Sequence, residues 1–151
     1  MSTQVIVSLR HLFGPGSSPR DNALALHALL NCLIALNVAH LTYHREAPLY
    51  HSGVYYKRTK EWEPIPEMYA RGYGDCKSLS AALIAEYRMR GIPADPVFRF
   101  LVLDQKRVNE YALRGVRRDI GDTDFHILVQ TPQGYEDPSK ILGMGKDENL
   151  G

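Results

Sequence analysis

Apolar residues dominate one long stretch near the start of the chain, from Ala23 to Leu41. The dipeptide Ser18-Pro19 precedes this stretch and is typical of a helix start, because serine caps free backbone N–H groups and proline suits the first helical turn. The sequence therefore predicts a first helix that ends at about His40 or His44. Because this helix is apolar nearly all round, we expect it to be well buried.

The same stretch is long enough to suggest a membrane span or a signal peptide. Polar residues interrupt it at His27, Asn31, Asn37 and His40, and polar groups are costly inside a bilayer. Asp21 stands where a signal peptide carries positive charge, and the apolar run begins later than the apolar part of a leader does. We therefore expect no membrane association, a helix buried in the protein, and a cytoplasmic protein.

A second helix is predicted from about Cys76 to Arg90. Gly91 ends it, because glycine tolerates the left-handed conformation of a helix cap, and Pro93 cannot continue a helix. Apolar residues cover two faces of this helix, which predicts a central position in the fold. One face is formed by Leu79, Ala82, Leu83 and Tyr87, and the other by Ala81, Ile84 and Ala85.

The remaining elements are predicted to be short. Residues 48–66 are rich in tyrosine and proline and look irregular. Helical spacing of apolar residues over 105–116 predicts another helix. Strands are predicted at 97–103, 124–130 and 135–137, the last two joined by a turn at Pro132-Gln133-Gly134.

Helices thus precede a mostly antiparallel sheet, which predicts an α+β fold. A chain of 151 residues suits one compact domain. We interpret residues 1–60 as an N-terminal helical region, 61–140 as the core that carries the chemistry, and 141–151 as a flexible tail.

Composition excludes some classes of function. The chain is 44% hydrophobic and 23% charged, with a formal net charge of +1, so nothing supports binding to nucleic acid. The basic cluster Arg114, Arg117 and Arg118 is therefore interpreted as a solvated helix face. With only two cysteines, Cys32 and Cys76, no disulfide framework is expected, and free thiols fit a reducing compartment.

The segment from Gly72 to Leu79 is the most informative in the chain. Glycines allow a tight turn, Asp75 suits a helix cap, and Cys76 falls in the first helical turn. The positive end of the helix dipole, with Lys77, is expected to lower the pKa of the thiol, and backbone amides nearby could hold an oxyanion. The alternative is that Cys76 is only a small buried apolar residue.

His126 and Asp137 are candidate partners of this cysteine. His126 lies within a strand that is apolar on both faces, so its imidazole needs a hydrogen-bonding partner. If Pro132-Gln133 forms a two-residue turn, Asp137 aligns with Leu128 and lies diagonally across from His126, about 7–8 Å away between Cα atoms. A slip of one residue would move Asp137 to the other face. The alternatives are a histidine bonded to a carbonyl and an aspartate that only starts a turn.

Together these residue types predict thiol chemistry. His126 would take the proton of Cys76, Asp137 would orient the imidazole, and the sulfur would attack an amide carbonyl to form a thioester. Water would then give hydrolysis, and an amine would give acyl transfer. Cys76 is accordingly expected to react with iodoacetamide faster than Cys32, and His126→Ala is expected to abolish the difference.

Several segments resemble the transglutaminase-like superfamily. The segments in the first part of this region are Trp62–Met68, Gly74–Cys76 and Gly91–Ala94. Of these, the segments that contain Trp62 and the Gly-Asp-Cys sequence are most similar to the bacterial transglutaminase-like cysteine proteinases. The later segments Phe125-His126 and Tyr135–Pro138 are similar to the histidine strand and the aromatic-x-Asp-Pro element of that superfamily. The resemblance covers roughly half the chain.

The resemblance implies a papain-like core, in which a helix carrying the nucleophile packs on a small antiparallel sheet. It implies proteolysis or acyl transfer, with a protein or peptide substrate and with Cys76, His126 and Asp137 as catalytic residues. Possible cleft or oxyanion residues are Tyr55, Tyr56 and Trp62. Lys77 departs from the acidic residue that assists calcium binding in some members, and the long Cys–His separation implies an insertion at 104–123.

Neither a metal nor a cofactor is expected. His40 and His44 have a spacing that can hold zinc, but no further ligands support a site. The acidic residues Asp119, Asp122 and Asp124 lack the spacing of a known calcium loop. A function of another class is also open: a catalytically silent transglutaminase-like domain could bind protein partners within a larger assembly, for example a virion.

Overall fold

The computed structural model describes Ile6, Gly16 and residues 18–145, so the end of the predicted tail, 146–151, lies outside the described residues. The fold is α+β, as predicted. A parallel pair of two-residue strands accompanies a three-stranded antiparallel sheet, in which Thr123–Thr131 lies between Asp95–Val102 and Gly134–Glu136. The helices are α1 (Pro19–Tyr43), α2 (Ile65–Arg71), α3 (Cys76–Met89), α4 (Gln105–Leu113) and α5 (Pro138–Ile141), with a 3-10 turn at Leu49–His51. The strands are β1 (Tyr55–Tyr56), β2 (Tyr73–Gly74), β3 (Asp95–Val102), β4 (Thr123–Thr131) and β5 (Gly134–Glu136).

Helix α3 occupies the centre of the fold, as its two apolar faces predicted. It packs against α1 on one side and against β4 on the other. Every residue from Cys76 to Ala85 is buried. The helix ends as expected, since Gly91 follows it with a φ of 74°.

Helix α1 starts where the sequence predicted, with Ser18 Oγ accepting a hydrogen bond from Asp21 N at 3.1 Å. The expectation that it is well buried is wrong. Only four of its residues are buried, and Leu24 and Leu36 are 58% and 57% exposed on the other side. The reason is that α1 packs on α3 with one side only. The buried residues are Leu30, Leu33, Ile34 and Asn37.

Within the described part of the chain, α1 is the one helix long and apolar enough to cross a membrane. Length and composition are a weak indication on their own, because the core helix of a soluble protein and an N-terminal signal sequence share them. Residues 18–145 therefore contain no firm sign of a membrane span.

Two short helices were not predicted. Helix α2 lies partly inside the segment that was interpreted as irregular, and α5 follows directly after β5. Both begin beside a proline that fits the first helical turn, Pro66 in α2 and Pro138 in α5. Such short helices leave too few periodic apolar positions for a pattern to reveal them.

The hairpin of β4 and β5 has the predicted turn. Thr131 pairs with Gly134, so Pro132-Gln133 is a two-residue connection, and Val129 pairs with Glu136 at the far end of β5. Continuing this register brings Asp137 level with Leu128, as expected. Because β5 ends at Glu136, Asp137 is also the residue that caps α5.

The described part of the predicted tail packs on the core. Met144 is 9% exposed, and its backbone N–H donates to the carbonyl of Ser139 at 2.8 Å. The carbonyl of Leu142 accepts from the backbone N–H of Tyr56 at 2.8 Å. Residues 141–145 therefore close one side of the domain near β1.

Candidate active site

His126 and Asp137 meet as the register predicted. Nε2 of His126 lies 2.9 Å from Oδ2 of Asp137, and both side chains are largely buried. The second oxygen of Asp137 accepts from the backbone N–H of Lys140 at 3.3 Å. Asp137 thus combines two of the roles weighed from the sequence, because it holds the imidazole and also starts α5.

Opposing influences act on the carboxyl group of Asp137. Burial raises its pKa, but the hydrogen bond and charge of His126 lower it, and the backbone N–H and charge of Lys140 lower it further. The net result is a pKa below the ordinary value. Asp137 is therefore a carboxylate at neutral pH, which is the form that can orient and stabilise a protonated imidazole.

Cys76 lies beside the strand residue that follows His126. The backbone N–H of Ile127 donates to the sulfur of Cys76, and Ser80 Oγ donates to the carbonyl of Ile127 at 3.1 Å. Strand β5 ends opposite Val129 and does not reach Ile127. The start of α3 therefore binds the edge of β4 at the point where β5 leaves it open.

The expectation that the thiol has a lowered pKa is wrong. Burial raises the pKa of Cys76 to about 12, and the negative charge of Asp75 adds to this effect. Lys77 and the Ile127 hydrogen bond act in the lowering direction but are outweighed. Cys76 is only 8% exposed, so its thiolate would lose most of its contact with water.

Lys77 contributes less to the thiolate than its charge suggests. Its ammonium group is paired with the carboxylate of Asp75 and donates to the carbonyl of Thr59 at 2.9 Å. Asp75 is the helix cap that the sequence predicted, since Oδ1 accepts from the backbone N–H of Lys77 at 3.2 Å. The pair is nearly neutral as a unit, and it holds the turn before Cys76 in place.

Gly74 packs closely against side chains of α2 and α3. A Cβ atom there would lie 2.6 Å from the sulfur of Met68 and 3.3 Å from Cβ of Ser78. The turn that leads into Cys76 therefore packs tightly against α2 and α3. This contact explains why a glycine precedes the capping aspartate.

Cys76 and His126 line one cavity of about 980 Å³. His126 also lines a second cavity of about 390 Å³ on the side of Asp137 and Tyr135. The histidine therefore lies between two openings, one of which it shares with the sulfur. An extended ligand lying in the larger cavity could reach both groups.

The three aromatic residues proposed for the cleft have different positions. Tyr56 lines the larger cavity. Tyr55 is 52% exposed and its ring lies 5.8 Å from that of Tyr73. Trp62 packs against Phe125, with ring centroids 6.5 Å apart. Neither Tyr55 nor Trp62 is part of the cavity lining, so the structure brings one of the three to the site.

The segment 104–123, interpreted as an insertion, forms another wall of the cavity. Tyr111 from α4 is 1% exposed, and its hydroxyl donates to Asp124. Arg118 donates to Asp124 at 2.6 Å, and Arg58 donates to the hydroxyl of Tyr111 at 3.2 Å. This network was not predicted from the sequence, although Tyr111 lies within the helical spacing of apolar residues over 105–116.

The basic cluster predicted as one solvated helix face is divided. Helix α4 ends at Leu113, and Arg114 follows it at the cavity wall. Arg118 is paired with Asp122 and Asp124, while Arg117 is exposed. The pairing also occupies two of the three acidic residues that were compared with a calcium loop.

No group of three or more potential metal ligands occurs among the described residues. His40 stacks on His44 with ring centroids 4.6 Å apart, and Nε2 of His40 lies 2.8 Å from a carboxylate oxygen of Glu46.

Cys32 and Cys76 are both free thiols, the first exposed and the second buried.

Comparison with known proteins gives no significant match to a family model, to a curated protein or to a solved structure. The resemblance to the transglutaminase-like superfamily therefore rests on the short motifs around Cys76, His126 and Asp137.

Proposed function

We propose that this chain is a thiol-dependent hydrolase or acyltransferase that acts on peptide or protein amide bonds. Its catalytic residues would be Cys76, His126 and Asp137, on a papain-like, transglutaminase-like core. The observation that carries the proposal is the His126–Asp137 hydrogen bond of 2.9 Å beside a cavity that Cys76 also lines. A base oriented by a carboxylate, in a cavity that a thiol also lines, supplies the groups that nucleophilic catalysis needs.

The first chemical step is proton transfer from the thiol. Asp137 occupies Nε2 of His126, so Nδ1 is the nitrogen that accepts the proton of Cys76. The sulfur then bonds to the carbonyl carbon of the amide, and the carbonyl oxygen becomes an oxyanion. Because the pKa of the thiol is raised, the proton stays on sulfur until the imidazole removes it.

The second step releases the amine. Nδ1 gives its proton to the leaving nitrogen, the C–N bond breaks, and the acyl group remains on Cys76 as a thioester. Water or a second amine then attacks this thioester while His126 takes its proton. The thioester C–S bond breaks, the proton returns to sulfur, and an acid or a new amide leaves.

Acylation of the protein by an activated peptide ester tests the proposal. Wild type, His126→Ala and Cys32→Ala are incubated with the ester, and intact mass and peptide mapping locate the acyl group. We expect acyl-Cys76 in wild type and in Cys32→Ala, but only slow acylation in His126→Ala. Acylation at Cys32 alone, or equal rates with and without His126, would contradict the proposal.

A catalytically silent domain that serves in a protein assembly is the second candidate function. The raised pKa of Cys76 favours it, and so does the exposed apolar side of α1 with Leu24 and Leu36. Under this alternative, Cys76→Ser changes neither partner binding nor any function of the assembly. Size-exclusion chromatography with candidate partners, for wild type and Cys76→Ser, separates this outcome from catalysis.

A further inference from the structure

The larger cavity, which the candidate nucleophile lines, is also lined by basic side chains. Arg58, Lys60 and Arg114 line it together with Cys76 and His126. All three basic residues are exposed to solvent. They come from two separate segments, the stretch after β1 and the end of α4, so folding brings them together.

The two carboxylates in the same lining are already neutralised. Asp75 is paired with Lys77, and Asp124 is paired with Arg118. Among residues 18–145, in contrast, no carboxylate forms an ion pair with Lys60 or Arg114. The cavity therefore has an excess of positive charge at its opening.

This charge is a local feature. The whole chain has a formal net charge of +1, so a basic surface is not a general property of the molecule. A concave site lined by one sign of charge concentrates ligands of the other sign. The remaining lining includes apolar groups from Val116, Phe125 and Met144, which suit the side chains of a peptide better than a phosphate backbone.

We propose that this cavity selects acidic peptides, with Lys60 and Arg114 contacting aspartate or glutamate side chains next to the amide that reaches Cys76. The inference rests on the proposed function for the identity of the reacting bond. Arg58 is partly occupied by its hydrogen bond to Tyr111, and it contributes background charge. Specificity would then depend on charge at the opening and not on a deep pocket for one side chain.

Binding to a protein without the nucleophile tests this inference apart from catalysis. The full chain carrying Cys76→Ala is titrated into two labelled peptides of equal length, one with glutamates and the other with glutamines at the same positions. We expect tighter binding of the acidic peptide by about ten-fold at low salt, and loss of this preference as salt screens the charges. Equal affinity for both peptides, or no binding of either, would overturn the inference.

Charge reversal locates the preference. Lys60→Glu with Arg114→Glu is expected to remove the preference for the acidic peptide. Arg117→Glu is the matched control, because Arg117 is exposed in the same loop but outside the cavity lining. If the reversal disturbs folding, seen by circular dichroism, the pair Lys60→Gln and Arg114→Gln replaces it. An effect of Arg117→Glu as large as that of the cavity pair would contradict the assignment.

A single-stranded RNA of similar negative charge is the competing ligand. Stronger binding of the RNA than of the acidic peptide, lost in the same cavity variants, would replace the peptide assignment with a nucleic-acid one. Failure of the proposed function looks different, since wild type would then bind the acidic peptide but form no acyl-Cys76 in the ester experiment.

Discussion

The two halves of the candidate active site are prepared for chemistry to different degrees. On the hairpin, His126 and Asp137 are already joined by a hydrogen bond of 2.9 Å, and Asp137 has a lowered pKa. On the helix, Cys76 is buried and its pKa is raised to about 12. The pair His126–Asp137, the base half of the site, is therefore preorganised. Cys76, the nucleophile half, remains a protonated thiol.

The relative sizes of the helix-dipole and burial effects explain why the pKa of Cys76 is raised. A helix dipole contributes about 0.3–1 kcal/mol at a terminus, which is less than one pKa unit. Burial can shift a pKa by up to about 3–5 units in the opposite direction. Cys76 is 8% exposed, and the charge of Lys77 is offset by Asp75, so burial prevails. A cysteine at a helix start is thus not automatically a reactive thiolate.

The largest effect is expected from removing the proposed nucleophile, Cys76. Cys76→Ala should lower amide turnover by at least about 10⁴-fold, since loss of a covalent nucleophile leaves only binding and oxyanion stabilisation. Initial rates of ammonia or amine release from a peptide substrate measure the change. Cys32→Ala should leave the rate unchanged, because Cys32 lies on the exposed side of α1. Residual turnover close to wild type would place the chemistry elsewhere.

The relative reactivity of Cys32 and Cys76 tests directly whether the Cys76 thiol stays protonated in the folded protein. In the native protein without substrate, Cys32 should react with iodoacetamide much faster than Cys76, which reverses the order expected from the sequence. A rise of three pKa units, from 9.0 to about 12, lowers the thiolate fraction of Cys76 about 1000-fold at neutral pH. Mass spectrometry of time-quenched samples gives both rates. Faster labelling of Cys76 would show that burial does not control its pKa.

The carboxylate of the base half should matter less than the nucleophile. Asp137→Ala is expected to lower turnover by about 10²-fold, because the imidazole remains but loses its orientation. Asp137→Asn should retain more activity, since an amide oxygen can still accept from His126 Nε2. The dependence of kcat on pH should shift with Asp137→Asn if the carboxylate stabilises the charged imidazole. Loss of folded structure without that shift would indicate a capping role only.

Glu136, the neighbour of Asp137, is expected to stabilise the folded protein. Its carboxylate accepts from the hydroxyls of Tyr50 and Tyr87, the latter at 2.7 Å, and so ties β5 to α3. Burial and the Glu136 hydrogen bond raise the pKa of Tyr87 to about 12. Glu136→Ala should lower the free energy of unfolding by about 2–3 kcal/mol, because two partly buried hydroxyls lose their acceptor. Urea denaturation of Glu136→Ala and Glu136→Gln measures it, and the glutamine variant should lose less.

The smallest expected effect is the loss of folding stability at low pH when Asp137 becomes protonated. The pKa of Asp137 is lower in the folded protein than its ordinary value of 3.8, so its contribution to stability is complete above that value and is lost as pH falls through the lowered pKa. We expect this contribution to be less than about 1 kcal/mol, since the group is partly exposed to water. Urea midpoints for wild type and Asp137→Asn between neutral pH and pH 3 should converge as the pH falls. A constant difference would mean that the charge of Asp137 plays no part.

The sequence by itself determined the features that depend on neighbouring residues. Asp75 caps the N-terminus of α3, and Gly91 follows its C-terminus with a positive φ. Both features depend only on residues that are neighbours in the chain. The two-residue turn at Pro132-Gln133 sets the register of β5, and the alternation of side chains then brings Asp137 to His126. The contact between His126 and Asp137 on the hairpin could therefore be predicted from the sequence.

Only the tertiary structure decided the features that depend on burial by distant segments. The upward shift of the Cys76 pKa follows from burial of the thiol in the folded core, and the exposed side of α1 follows from its packing on α3 with one side only. Arg114 and Arg118 belong to one basic cluster, yet Arg118 meets Asp124 while Arg114 remains without an ion pair among residues 18–145. Residue type specifies a charge, but only the folded arrangement decides whether solvent, a carboxylate or an apolar surface surrounds it.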